Sequence, residues 1–255
     1  MASLRSGADL DVLRLGTGPP MVLVHGSIVD GARTWREQLC LAERWELRIP
    51  NRPGFGGSPA LPRGDFEAEA PLIARLLGDG AHLVGHSYGG VIALLAAADR
   101  PDRVRSLTVS EPGCLRVAAG DPVVDAAIVR GQELYRRAAD IPTPDFLRLF
   151  RSGVHSTHET PAALPDWLER GTQLLMRERP PWEADIPLER LASARFPKLV
   201  ISGGHSAVFE AVCDTLAEGL SAQRAVIPGR GHTIPAAGAP YNERLEQFLT
   251  AGQET

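Results

Sequence analysis

The chain has 255 residues, of which 44% are hydrophobic and 23% are charged, the balance of an ordinary globular protein. Its formal net charge is −4, so it lacks the basic surface expected of a protein that binds nucleic acid or an anionic membrane. This length accommodates one large α/β domain or two small domains.

The cysteines and the apolar runs indicate the cellular compartment of the protein. Cys40, Cys114 and Cys213 are few and widely spaced, which argues against a disulfide framework. Residues 1–11 contain no apolar stretch of signal-peptide length, and no apolar run reaches the ~18 residues of a transmembrane helix. We therefore expect a cytoplasmic protein.

Hydrophobic patterning predicts strands and helices that alternate along much of the chain. Strands are predicted over residues 10–15, 21–24, 46–50, 81–84, 104–109, 197–203 and 224–227. Helices are predicted over residues 35–44, 66–77, 90–98, 123–139, 145–151, 165–177, 209–220 and 241–249. This alternation indicates an α/β fold with a mostly parallel sheet and helices on both faces.

The alternation stops between residues 115 and 194, where helical segments follow one another without a strand pattern. We expect residues 115–194 to form a helical cap, inserted into a core domain made of residues 1–114 and 195–255. Such a cap would exclude water and shape a pocket above the carboxyl ends of the strands, where ligands of parallel sheets bind.

A serine stands between a predicted strand and a predicted helix, in the pattern Gly85-His86-Ser87-Tyr88-Gly89. In a strained turn of this kind the hydroxyl projects from the sheet edge, and the small flanking residues let strand and helix approach closely. The N-terminus of the helix favours negative charge that develops there. We therefore predict that Ser87 is a nucleophile.

A serine nucleophile needs a base that takes its proton. His232 follows the last predicted strand in a glycine-containing loop, whose unusual backbone can place the ring over Ser87. His155 and His158 have the spacing of a helical metal pair, but no carboxylate or cysteine cluster supports them, so no metal is expected. His232 is therefore the candidate base.

The histidine in turn needs an acid that fixes its tautomer and stabilises the imidazolium. Glu111 comes directly after a predicted strand, at the same sheet edge as Ser87. A tetrahedral oxyanion needs two preorganised donors. The candidates are the backbone N–H groups of Tyr88, which follows the nucleophile, and of Ser27, which follows an earlier strand.

Four segments of the sequence carry a family resemblance: residues 21–26 with Trp35 after them, residues 52–58, residues 85–90, and Gly231-His232. Through them the chain resembles an α/β-hydrolase with a serine nucleophile over nearly its whole length. The resemblance implies the α/β-hydrolase fold, in which the serine, acid and histidine follow in this order along the chain.

The acid departs from the usual pattern of that family. Its aspartate normally lies just past the strand that follows the cap, where residues 203–207 of this chain contain no carboxylate. Some α/β-hydrolases, lactone-cleaving members among them, carry the acid after the earlier strand, where Glu111 stands. Asp214 and Glu210 are the alternatives, although helical periodicity would carry them away from the strand end. If none of the three serves, the serine and histidine form a dyad.

These residues predict a serine hydrolase that cleaves a carboxylic ester or lactone through an acyl-enzyme, without a metal or organic cofactor. The dehalogenase and epoxide-hydrolase chemistry of this fold uses an aspartate nucleophile, which Ser87 disfavours. The substrate expected is small to medium-sized and largely apolar. Nine apolar residues of the cap are candidates to line its pocket, although most of them are expected to pack in the core of the cap; they are Leu134, Tyr135, Phe146, Leu149, Phe150, Trp167, Leu174, Leu175 and Met176.

Two other functions remain open from the sequence. One is a carbon–carbon bond hydrolase of the same fold, and the other is a non-catalytic ligand-binding homologue. As partners we expect a small-molecule substrate, no nucleic acid and no membrane, while the sequence leaves the oligomeric state open.

Overall fold

The computed structural model describes residues 9–251. Most of residues 1–11, the stretch in which no signal peptide is expected, therefore lies outside the described residues. Within them, no helix combines the length and apolar composition that a membrane crossing requires.

Seven strands form one sheet in the described part of the chain. They are β1 (Val12–Leu15), β2 (Pro20–Val24), β3 (Glu46–Pro50), β4 (Ala81–His86), β5 (Val104–Ser110), β6 (Lys198–Ser202) and β7 (Gln223–Val226). Their order across the sheet is β1-β3-β2-β4-β5-β6-β7, with β1 antiparallel to β3 and the other neighbouring pairs parallel. The predicted mostly parallel sheet is confirmed.

Helices cover both faces of the sheet and fill the segment between β5 and β6. They are α1 (Gly31–Thr34), α2 (Phe66–Leu76), α3 (Tyr88–Asp99), α4 (Pro122–Arg136), α5 (Thr143–Gly153), α6 (Asp166–Leu175), α7 (Leu188–Ser193), α8 (Ala207–Gly219) and α9 (Ala239–Ala251). The helix predicted over residues 35–44 is a 3-10 helix, Arg36–Glu43. The sequence did not predict α1 and α7, because four and six residues are too few to show helical periodicity.

Successive side chains of a strand point to opposite faces of the sheet, and here both faces are covered. In β2, Val22 and Val24 pack into one hydrophobic core with α2, α3 and α8, whereas Met21 and Leu23 pack into another with α9. All four side chains are fully buried. The continuous apolar run in the sequence is thus the consequence of burial on two faces.

The inserted segment, residues 115–194, leaves the sheet after the carboxyl end of β5 and returns to it at β6. It contains α4 to α7 and no strand. Val124 and Trp182 anchor it in the same hydrophobic core as α3 and α8. This path keeps the segment beside the sheet edge at which Ser87 is found.

Candidate active site

Ser87 occupies a strained turn between β4 and α3. Its φ angle is 54°, in the left-handed region that residues other than glycine rarely adopt. A Cβ added at Gly85 would lie 2.5 Å from the Gly89 carbonyl oxygen, and one added at Gly89 would lie 2.3 Å from the His25 carbonyl oxygen. Both glycines are therefore required, because strand, turn and helix meet at contact distance.

Three predicted side chains from distant parts of the chain lie in one line of hydrogen bonds. His232 Nε2 is 2.9 Å from Ser87 Oγ, and His232 Nδ1 is 2.7 Å from Glu111 Oε2. This network assigns a proton to Nδ1, which donates to the carboxylate, and leaves Nε2 to accept from the serine hydroxyl. The imidazole also stacks on Phe209, with ring centroids 4.4 Å apart.

Glu111 is fully buried directly after β5, and it too has a positive φ angle, 41°. Its Oε1 accepts a hydrogen bond of 2.8 Å from the Gly203 N–H. His205 Nδ1 lies 3.3 Å from the same oxygen. Gly203 and His205 follow β6, where the family resemblance places an aspartate. Glu111 thus reaches that place from the neighbouring strand.

The two alternative acids are engaged elsewhere. Asp214 Oδ1 accepts from Arg224 Nε at 2.8 Å. Glu210 accepts from Arg224 and from the Ser202 hydroxyl. Neither carboxylate bonds to His232 within residues 9–251. The expectation that α8 carries Glu210 away from the strand end is nevertheless wrong, because Ser202 and Gly204, at the end of β6, both donate to it.

Burial shifts the pKa values of the acid and the histidine toward their uncharged forms. It raises the pKa of Glu111 to about 7, although the Gly203 N–H and the charge of His205 oppose the shift. It lowers the pKa of His232, and nearby His205 lowers that pKa further. Because a hydrogen bond joins them, Glu111 and His232 take up a proton as a pair. When the carboxyl group of Glu111 is protonated, it donates to Nδ1 and the imidazole proton moves to Nε2. In that form Nε2 no longer accepts a hydrogen bond from Ser87.

Two backbone N–H groups beside Ser87 donate to no protein acceptor in the described part of the chain, those of Tyr88 and Ser27. Tyr88 is the first residue of α3, where an N–H has no intrahelical partner. The loop that carries Ser27 passes close to the nucleophile, because a Cβ added at Gly26 would lie 3.0 Å from Ser87 Cβ. The Tyr88 N–H is thus next to the nucleophile in the chain, and the Ser27 N–H belongs to the Gly26–Ser27 peptide, which packs beside Ser87.

A buried ion cluster that the sequence analysis missed supports this loop. Arg52 donates to the Gly26 carbonyl oxygen at 3.0 Å, to Glu69 at 2.8 Å and to Glu178 at 2.7 Å. Ser27 Oγ donates to the other oxygen of Glu178 at 2.5 Å. Arg52 lies in residues 52–58, one of the four segments that carry the family resemblance. Nothing in the local sequence marks the two glutamates as buried, since most glutamates in proteins are exposed.

Comparison with known proteins identifies the family. The sequence profile of the alpha/beta hydrolase family matches residues 21–250. The chain belongs to this family. The pimeloyl-acyl carrier protein methyl ester esterase of Chromobacterium violaceum is 43% identical over 101 residues, which are 40% of each chain. RutD of Azorhizobium caulinodans, provisionally named a carbamate hydrolase, is 31% identical over 259 residues, 94% of this chain and 95% of its own.

A solved structure agrees with this membership. The alpha/beta hydrolase from Sphaerobacter thermophilus matches 94% of this chain and 96% of its own with a TM-score of 0.68 and 25% identity. The α/β-hydrolase fold predicted from the sequence is thereby confirmed. The match to the C. violaceum esterase spans 40% of the length of that enzyme, which is less than half.

A mostly apolar cavity of about 590 Å³ lies against Phe209, the ring that stacks on His232. Helices α4, α5 and α8 and the side chain of Trp182 form its walls. The nine apolar cap residues, most of them expected to form the core of the cap, divide into three groups: Leu134, Tyr135, Leu149 and Phe150 line this cavity, Trp167 and Leu174 line a second one of about 290 Å³, and Phe146, Leu175 and Met176 pack in the interior.

The two histidines of the inserted segment, His155 and His158, have separate surroundings. Within residues 9–251, no group of three or more His, Cys, Asp or Glu side chains is arranged to hold a metal ion. His155 Nδ1 lies instead 3.1 Å from Ser206 Oγ, and His158 is exposed.

Gly89→Ala is expected to destabilise the fold by about 1–3 kcal/mol or more, as overpacking does. The new methyl group would meet the Val24 and His25 carbonyl oxygens at 2.4 and 2.3 Å. The control is Gly153→Ala in α5, where nothing lies within 4 Å of the added Cβ. Denaturant unfolding of both variants makes the comparison, and equal free energies of unfolding would contradict the close approach at Gly89.

The pH dependence of turnover tests the Glu111–His232 pair. The active form is the one without the extra proton, so kcat/KM is high above the raised pKa of Glu111, about 7, and falls as the pH drops through it. His205→Phe removes a charge that lowers this pKa, so the acid limb moves to higher pH. His158→Phe, at an exposed histidine, leaves the limb in place. A profile that is flat from about pH 5 to 8 excludes a histidine base.

Proposed function

We propose that this chain is a serine hydrolase that cleaves a carboxylic ester or lactone through an acyl-enzyme. The observation that carries the proposal is the line of hydrogen bonds from Ser87 through His232 to Glu111, at 2.9 and 2.7 Å. The position of Ser87 on a strained turn at the N-terminus of α3 supports the assignment of this serine as nucleophile. Family membership and the esterase and hydrolase names of relatives support the same reaction class.

In the proposed mechanism, Ser87 Oγ attacks the carbonyl carbon of the substrate while His232 Nε2 takes the hydroxyl proton. The negative charge on the carbonyl oxygen is stabilised by the N–H groups of Ser27 and Tyr88 and by the N-terminus of α3. His232 then gives the proton to the departing alkoxide. Water repeats the sequence on the acyl-enzyme, which releases the acid and restores the serine.

Glu111 has two roles in this proposal. Its hydrogen bond keeps the Nδ1 proton in place, so that Nε2 faces the serine as an acceptor. Its negative charge stabilises the imidazolium that forms during each proton transfer. The Gly203 N–H holds the second carboxylate oxygen, which fixes the orientation of the acid.

The proposed substrate is small to medium-sized and largely apolar, and it is the one partner that the mechanism requires. The cavity of about 590 Å³ beside Phe209 suits an apolar acyl or alcohol group. The inserted segment would act as a cap, because α4 and α5 form most of the walls of this cavity. A lactone is cleaved by the same steps, with the alkoxide remaining attached to the acyl group. The cytoplasm stays the proposed compartment on the basis of cysteine usage.

A carbon–carbon bond hydrolase of this fold would need a cationic clamp for a carboxylate. Arg52, which bonds to the Gly26 carbonyl oxygen, is already paired with Glu69 and Glu178. Arg130 and Arg137 line the cavity of about 590 Å³ and are the candidates for such a clamp, so assays with substrates of both kinds decide between the two reactions. A non-catalytic homologue is distinguished by its lack of reaction with a serine-directed probe.

Substitution of the acid distinguishes Glu111 from Asp214, one of its two alternatives. Glu111→Gln is expected to lower kcat by on the order of 10³–10⁴-fold, because an amide stabilises the wrong tautomer of His232. Asp214→Asn breaks a partly exposed ion pair with Arg224 and is expected to leave kcat unchanged. A panel of esters and lactones provides the assay, with Ser87→Ala as the blank and fluorophosphonate labelling as a count of active serines. Equal, small effects of the two substitutions would refute the role of Glu111.

Filling the cavity tests where the substrate binds. Ala127 of α4 lines the cavity and its neighbour Ala126 is exposed. Ala127→Phe is expected to lower kcat/KM by at least about 10-fold for esters with a long acyl or a long alcohol chain while sparing ethyl acetate, because the ring occupies the cavity. Ala126→Phe is the matched control and should leave the chain-length profile unaltered. Equal profiles for the two variants would place the substrate elsewhere.

A further inference from the structure

The loop that carries the proposed oxyanion donor Ser27 contains a strained turn. Ile28 has a φ angle of 75°, and the Val29 N–H donates to the Ser27 carbonyl oxygen at 2.9 Å. This tight turn over three residues is rare, and a β-branched residue at its centre is an outlier. Such a conformation persists only where its surroundings hold it.

Arg52 holds this loop from the side of the Gly26 carbonyl oxygen. Its side chain donates to the Gly26 carbonyl oxygen at 3.0 Å, and its backbone N–H donates to His25 Nε2 at 2.9 Å. The Gly26 carbonyl belongs to the planar Gly26–Ser27 peptide, so the first bond also orients the Ser27 N–H, but neither bond reaches the Ser27 side chain or Ile28.

The inserted segment contacts those two residues. Ser27 Oγ donates to Glu178 Oε2 at 2.5 Å, although the two residues are 151 positions apart in the chain. Helix α6 packs so closely on the loop that a Cβ added at Gly171 would lie 1.8 Å from the Ile28 carbonyl oxygen. The strained part of the loop is thus held from the inserted segment.

Glu178 is itself fixed by Arg52. Its Oε1 accepts from the guanidinium at 2.7 Å, and both side chains are 2% exposed. Glu69 binds the same guanidinium at 2.8 and 3.1 Å and is equally buried. Two carboxylates therefore share one arginine, but only Glu178 bonds to Ser27 in the described structure. This difference separates a positioning role from a general contribution to packing.

We propose that Glu178 is a positioning residue that holds Ser27, so that docking of the inserted segment completes the oxyanion site beside Ser87. The inference rests on the proposed function, in which the Ser27 N–H stabilises the oxyanion. Without Glu178 the Ser27 side chain is released and the Gly26–Ser27 peptide shifts against its remaining bond to Arg52. A donor displaced by about 1 Å costs on the order of 100-fold in rate. The KM for a short ester changes little, because the donor acts mainly on the charge that develops in the transition state.

Glu178→Leu and Glu69→Leu form a matched pair, because each leaves Arg52 with one buried carboxylate. The rate constant for fluorophosphonate labelling of Ser87 reports on the oxyanion site without a known substrate, since the phosphoryl oxygen enters the same site. We expect Glu178→Leu to lower this rate constant and kcat by about 10- to 100-fold, with little change in KM. Glu69→Leu should keep both rates within about threefold while losing a similar amount of thermal stability.

Ser27→Ala tests the same contact from the other side, since it removes the hydroxyl and leaves Arg52 and both glutamates intact. It should share the loss in labelling rate, and Ser27→Ala combined with Glu178→Leu should lose no more than either change alone. An equal loss in Glu69→Leu and Glu178→Leu would overturn the inference, as would labelling of Ser27→Ala at the wild-type rate. The Ser27→Ala result decides alone if Glu178→Leu does not fold. Wild-type protein that resists labelling would refute the proposed function, and the inference with it.

Discussion

The buried guanidinium of Arg52 bonds to three parts of the protein that meet at the candidate site. Its partners are the Gly26 carbonyl oxygen, Glu69 of α2 and Glu178 of the inserted segment. Removing one partner of a buried ion pair typically costs about 3–5 kcal/mol, so these parts are held in one arrangement. Burial raises the pKa of Glu178 even though Arg52 and the Ser27 hydroxyl oppose the shift. The elements around the site are thus joined by charges that take no part in the proposed chemistry.

Backbone strain is concentrated at the ends of neighbouring strands. Ile28, Ser87 and Glu111 have positive φ angles and follow β2, β4 and β5, which are adjacent in the sheet. Each such residue costs on the order of 1–3 kcal/mol and persists only in a rigid setting. The hydrophobic cores on the two faces of the sheet supply that setting. A parallel sheet brings these ends to one edge, and the proposed nucleophile, acid and oxyanion donors share that edge as a result.

The strand pattern and the positions of Ser87, Glu111 and His232 could be predicted because each depends on local sequence. A turn motif marks the serine, and the end of a strand marks the glutamate and the histidine loop. Their catalytic roles stay predictions, while the hydrogen bonds among them are features of the structure. His205 and Glu178 could not be predicted as neighbours of the site, because their partners lie far away in the chain.

The sequence by itself determined the alternation of strands and helices, the turn at Ser87 and the order of the candidate residues. These features follow from hydrophobic periodicity and from the steric demands of single residues, which are encoded locally. Only the tertiary structure decided that Glu111, and neither Asp214 nor Glu210, bonds to His232, and that Glu178 holds Ser27. The reason is that side chains on separate elements meet at hydrogen-bonding distance only after the sheet and the inserted segment have packed together.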